Sequence, residues 1–135
     1  MKRYLILTLL SMACGVVAAQ TSKTSVTANP KEKMIVQHWK LLGSEEFGIM
    51  KKVGDKDAND GATFEADHRA NITLAGKSKM GIWSIDKYAS FLTLAVDSSS
   101  EKRSYKISKL VADTLVLEYK DSALVKTKYH FLRQP

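Results

Sequence analysis

Cysteine is almost absent. Cys14 is the single thiol in 135 residues, so the chain has no intramolecular disulfide, and if Cys14 is lost with an N-terminal signal the mature chain has no thiolate chemistry and no cysteine metal site. Histidine is scarce as well. His38, His68 and His130 never fall two to a strand or helix at ligand spacing, which argues against a histidine metal centre and for three surface side chains. The 7 glycines are isolated, and none builds a loop that cradles phosphate. No Gly-x-Ser-x-Gly elbow marks a nucleophile. Glu45 and Glu46 are adjacent, so on a strand they point to opposite faces and cannot work as an acid/base pair. These absences leave no catalytic signature, and the expectation is a non-enzyme with no cofactor and no metal.

One acidic stretch comes near a calcium loop and misses. In Asp55-Lys56-Asp57-Ala58-Asn59-Asp60-Gly61 the sixth position is Asp60 and the twelfth is Ala66. The EF-hand pattern needs glycine and a bidentate glutamate there. A solvated acidic turn is the expectation for Asp55, Asp57 and Asp60.

The chain is basic, with a formal charge of +7. Its first 19 residues have the parts of a secretory signal. Met1-Lys2-Arg3 is a charged start, an interrupted apolar run follows, and Val17-Ala18-Ala19 supplies small residues for cleavage after Ala19. The run is too short for a membrane span of about 20 residues. Cys14 lacks the apolar residue three positions earlier that a lipoprotein signal needs, so retention as a lipidated cysteine is the lesser alternative. Loss of Lys2 and Arg3 takes the charge from +7 to +5. The remaining Lys and Arg are scattered singly at strand spacing. That pattern fits a solvated exterior rather than a nucleic-acid groove. An exported protein, periplasmic or secreted, is expected.

Residues 20–29 form a polar linker that ends on Asn29, an N-cap, with Pro30 opening a short helix over 31–36. From there a period of two dominates. Strands are expected over 37–43, 62–66, 69–75, 79–86, 91–96, 102–110, 115–119 and 125–131. The segment Ser44–Gly61 reads as a variable loop with a short strand over 48–52. Gly81, Trp83 and Ile85 share a face, and Gly81 is expected to leave room for the Trp83 indole. Eight short strands joined by tight turns predict an all-β fold, an antiparallel up-and-down barrel over residues 30–135.

Asn29-Pro30, Trp39-Lys40-Leu41, Ala62-Thr63-Phe64 with Asp67 three positions on, Gly81-Ile82-Trp83-Ser84-Ile85, Tyr105-Lys106-Ile107 and Leu115-Val116-Leu117 follow in order. The series resembles the small bacterial lipocalin-like domain family, exported single-domain barrels of the calycin type. The sequence departs at Gln37, where such domains carry glycine, and at Asp67-His68, where they carry Asp-Gly. The resemblance implies binding of a small apolar or amphipathic molecule and implies no catalytic residue.

Phe64, Ile72, Leu74, Ile85, Leu92, Ile107, Leu115, Leu117, Val125 and Phe131 share the inward parity with Trp83, Leu94, Tyr105, Tyr119 and Tyr129. An eight-stranded barrel either fills with side chains or leaves room for one small ligand. Trp83, Leu94, Tyr105, Tyr119 and Tyr129 are the candidate lining, because inward phenols need a polar partner or a mouth. Trp39 and Trp83 could equally plug a closed end. Arg69, Lys77 and Lys79 flank one turn, where they could attract an anionic head group or guard an edge. A small-molecule carrier is therefore the expected function. The alternative is a protein-binding envelope module, an inhibitor or accessory, that acts through Ser44–Gly61.

Overall fold

Alternating side chains make strands, and strands that cannot leave their edges bare close on themselves. The computed structural model of the protein describes residues 29–135. The expected signal peptide, Cys14 and the expected linker up to Ala28 lie outside the described residues. Helix α1 (Pro30–Ile35) leads into β1 (His38–Glu46) and β2 (Ile49–Lys52). A 3-10 turn at Asp55–Asp57 precedes β3 (Gly61–Phe64) and β4 (Arg69–Leu74). Then come β5 (Lys77–Ile85), β6 (Phe91–Val96), β7 (Lys102–Leu110), β8 (Thr114–Lys120) and β9 (Lys126–Arg133). All pairings are antiparallel, β3 to β9 follow in chain order, and β1 pairs with β9 to close the barrel. The all-β up-and-down barrel predicted from alternation is the observed fold.

Nine strands fill eight places. β1 pairs with β2 over Gly43–Glu46 and with β3 over His38–Lys40, in the same sense. β2 and β3 are thus one strand interrupted by a short detour, and only β3 continues to β4. The expected variable loop over Ser44–Gly61 is corrected accordingly. β1 runs on to Glu46, and Phe47 and Gly48 make a tight turn at φ of 50° and 77°. The short strand expected within the segment is present at Ile49–Lys52. The pairing hid from sequence because all four residues of β2 are exposed, which erases any alternation.

A bulge at Leu42 resets β1. Leu41 opposes Phe131, yet Gly43 opposes His130. Trp39 and Leu41 face inward before the bulge, and Ser44 and Glu46 face inward after it, since one extra residue swaps the faces. Glu45 points outward to His130 Nε2 at 3.1 Å.

The lower end is sealed. Asn29 caps α1 by accepting from Lys31 N at 3.0 Å, and Pro30 fills the first helical position. Ile35 is buried, and its carbonyl accepts the Trp39 Nε1 proton at 2.9 Å. Trp83 Nε1 donates to the Glu65 carbonyl at 3.0 Å, and the indole stands edge-on to Phe64 with centroids 5.6 Å apart. Both indoles are plugs with their one donor satisfied. A Cβ at Gly81 would collide with the Ala95 carbonyl, so the glycine admits the β6 backbone. His68 adopts φ 69° at the β3–β4 turn, the left-handed geometry that the missing glycine would have eased. Phe64, Ile72, Leu92, Leu94, Leu115, Leu117 and Phe131 complete one buried cluster.

Candidate ligand site at the open end of the barrel

The turns β1–β2, β4–β5, β6–β7 and β8–β9 surround the end away from α1. A hollow of about 580 Å³ opens there, walled by Leu41, Ser44, Glu46, Val53, Leu74 and Tyr129, with Asp55–Asp57 along its side. A smaller one of about 200 Å³ adjoins it and adds Ile72, Tyr105, Tyr119, Lys79 and Arg103. Leu74, Ala75 and Tyr129 belong to both.

Alternation along β7 turns Arg103 to the same face as Tyr105. Arg103 Nε donates to Glu101 Oε1 at 2.6 Å, and Lys79 Nζ donates to Glu101 Oε2 at 3.1 Å. Two cations thus share one carboxylate, and the cluster keeps a net positive charge. Hydrogen bonds from Arg103 and then Lys79 hold the Glu101 carboxyl below its usual range. The guanidinium lies 5.3 Å from the Tyr119 ring centre, and Tyr105 and Tyr119 rings are 5.5 Å apart. On the opposite wall Thr127 Oγ1 donates to Glu46 Oε1 at 2.9 Å.

Burial pushes the Tyr105 phenol above its ordinary pKa, with Arg103 offsetting part of the rise, and burial also raises Tyr129. A raised folded pKa favours the neutral phenol. The contribution of these two groups to stability is full below the ordinary tyrosine value of about 10 and is lost as pH climbs through the higher folded values. In a phenolate absorbance titration Tyr105 and Tyr129 ionise late. Tyr105→Phe and Tyr129→Phe should each remove one late step, and an unchanged curve would refute the placement.

The side detour is anchored by Asp60, which is 4% exposed. Its carboxylate accepts from Ala75 N at 2.6 Å and Gly76 N at 3.1 Å, and its carbonyl accepts from Leu41 N at 3.0 Å. Asp60 therefore clamps the β4–β5 turn to β1. Among the described residues no three His, Cys, Asp or Glu side chains gather as metal ligands.

No protein-family model matches the chain, and no curated protein matches its sequence. A solved structure does match. A lipocalin-like protein from Bacteroides uniformis superimposes with a TM-score of 0.55 at 17% identity, over 75% of this chain and 99% of that one. The fold is lipocalin-like.

Within this lipocalin-like barrel the five candidate lining residues divide. Tyr119 and Tyr129 line the mouth, with Tyr105 at its base, 2% exposed and part of the packed cluster. Trp83 and Leu94 sit within that cluster and line neither hollow. The basic trio divides too. Lys77 and Lys79 reach the mouth, whereas Arg69 pairs with Asp97 on the outer wall, Nη1 to Oδ1 at 2.9 Å. His38 bonds Thr63 Oγ1 at 3.0 Å, and His68 stands 3.5 Å from Glu32 Oε1. Arg103 and Glu46 were missed from sequence. Arg103 was within reach, being two residues from an inward tyrosine; Glu46 was hidden by the bulge.

Proposed function

We propose that this lipocalin-like barrel binds one small amphipathic molecule at its open end, as a binding protein and not a catalyst. The observation that carries the reading is a barrel sealed at one end and hollowed at the other, where two cavities adjoin at Leu74, Ala75 and Tyr129. The larger, about 580 Å³ and walled by Leu41, Leu74 and Tyr129, lies within the roughly 300–1,000 Å³ usual for small-molecule sites; the tyrosine-lined one, about 200 Å³, extends it toward Arg103 and Lys79. Leu41, Leu74 and Tyr129 offer apolar contact, and Arg103 with Lys79 offers cations to a polar end. The sequence also supports an exported carrier, with Met1–Ala19 removed as its signal.

Titration with an anionic amphipathic fluorophore tests this. Saturable binding of one molecule per barrel is expected, and Arg103→Gln should weaken it about tenfold, the loss of one charge-assisted contact. Emission that never saturates would overturn the reading. The protein-docking alternative rested on one long loop over Ser44–Gly61, and that segment is a hairpin with a short detour.

A further inference from the structure

Four large apolar side chains stand out by exposure: Phe47 at 83%, Ile49 at 72%, Tyr88 at 71% and Leu124 at 69%. Three of the four share one corner of the mouth. Phe47 lies in the β1–β2 turn, Ile49 opens β2 just after it, and Leu124 belongs to the β8–β9 turn. Glu46 pairs with Thr127 across β1 and β9, which makes these two turns neighbours.

Local physics disfavours these residues here. Phe47 has φ 50° and Leu124 has φ 64°. In that left-handed region bulky side chains are rare, and glycine or asparagine is the cheaper choice. Solubility opposes them as well, since both point into solvent at turn tips. Two neighbouring turns that bear the same double disadvantage mark a contact surface. The apolar groups are separate tips and not a flat face, a shape that a fluid apolar medium accepts. Lysines flank them. Lys51 and Lys52 follow Ile49, and Lys120 and Lys126 bracket the second turn; all four are exposed, with Lys126 Nζ 3.9 Å from Glu118 Oε1. Carboxylates stand in the same corner and are held to partners of the chain: Glu45 to His130, Glu46 to Thr127, Asp121 to Val125 N and Glu118 to Lys126.

We propose that this corner docks on an anionic lipid bilayer, with Phe47, Ile49 and Leu124 among the acyl chains and the lysines on the headgroups. The mouth of the cup then faces the membrane, where amphipathic molecules reside. Docking stands whether or not the cup binds a ligand.

Phe47→Trp and Tyr88→Trp provide paired reporters, because Trp39 and Trp83 are buried. Tyr88 is equally exposed but lies in the β5–β6 turn at the sealed end. With vesicles of phosphatidylglycerol and phosphatidylethanolamine, Phe47→Trp emission should shift to the blue and be quenched by brominated acyl chains, while Tyr88→Trp does neither. A second variant joins Phe47→Asn to Leu124→Asn. Asparagine suits the left-handed geometry, so the melting temperature should hold or rise while vesicle partition falls about tenfold or more. Equal quenching of both reporters, or none, would overturn the proposal. So would a lipid-free dimer in light scattering that the asparagine pair abolishes, since that would give the corner to a second copy of the chain.

Discussion

Trp83→Ala should lower the stability of the barrel by about 3–5 kcal/mol, enough to move the thermal midpoint by more than about 10 °C. Trp83 is 1% exposed. Its removal opens a void beside Phe64 that rigid strands cannot collapse into, and the Glu65 carbonyl loses its Nε1 donor. A domain of this size has only about 5–15 kcal/mol in total, so the variant stands near the edge of folding. Trp83→Phe keeps most of the buried area and loses the hydrogen bond, and a cost of about 1–2 kcal/mol is expected. Ile82 is the neighbouring control. It points outward and is half exposed, so Ile82→Ala should cost about 0.5 kcal/mol or less. Circular dichroism melts of the three variants check the series. Equal midpoints for Trp83→Ala and Ile82→Ala would show that the indole is no plug.

Asp60→Ala is expected to cost about 3 kcal/mol. A hydrogen bond to a charged group contributes about 1.5–3 kcal/mol, and the Asp60 carboxylate accepts two from backbone amides at Ala75 and Gly76. Alanine leaves both amides without this acceptor and frees the detour from the β4–β5 turn. Asp60→Asn keeps one acceptor oxygen, so roughly half the loss is expected. Denaturant midpoints give the stability, and amide exchange at Ala75 and Gly76 gives the location. Slow exchange at both amides in Asp60→Ala would refute the clamp. The effect would reach the mouth, because Asp60, Leu74 and Ala75 all border the larger hollow. A weaker amphipath should therefore accompany the lower midpoint.

The two variants also separate what sequence made readable from what it hid. Trp83 could be placed inside from the residues around it, since Gly81, Trp83 and Ile85 alternate with Met80, Ile82 and Ser84. Asp60 looked like one of three acids in a polar stretch. Its role depends on the β4–β5 turn, 15 residues away in sequence, and no periodicity reports such a contact. The mouth shows the same division. Tyr105, Tyr119 and Tyr129 were found by parity, and Arg103 obeys the same parity but was passed over as a surface charge. Glu46 could not be found that way, because the bulge between Leu41 and Gly43 reverses the alternation.

Sequence alone determined the period-two strands, the capped start at Asn29-Pro30 and the identity of most inward side chains. Each of these is a property of neighbours along the chain, where φ/ψ preference and alternation operate. Tertiary structure alone decided how β1 meets β9, where β1 shifts register, which two cations share Glu101 and which turns bring Phe47 beside Leu124. Each of those joins residues that approach only after the sheet has closed, and closure is decided by the summed pairing of all the strands.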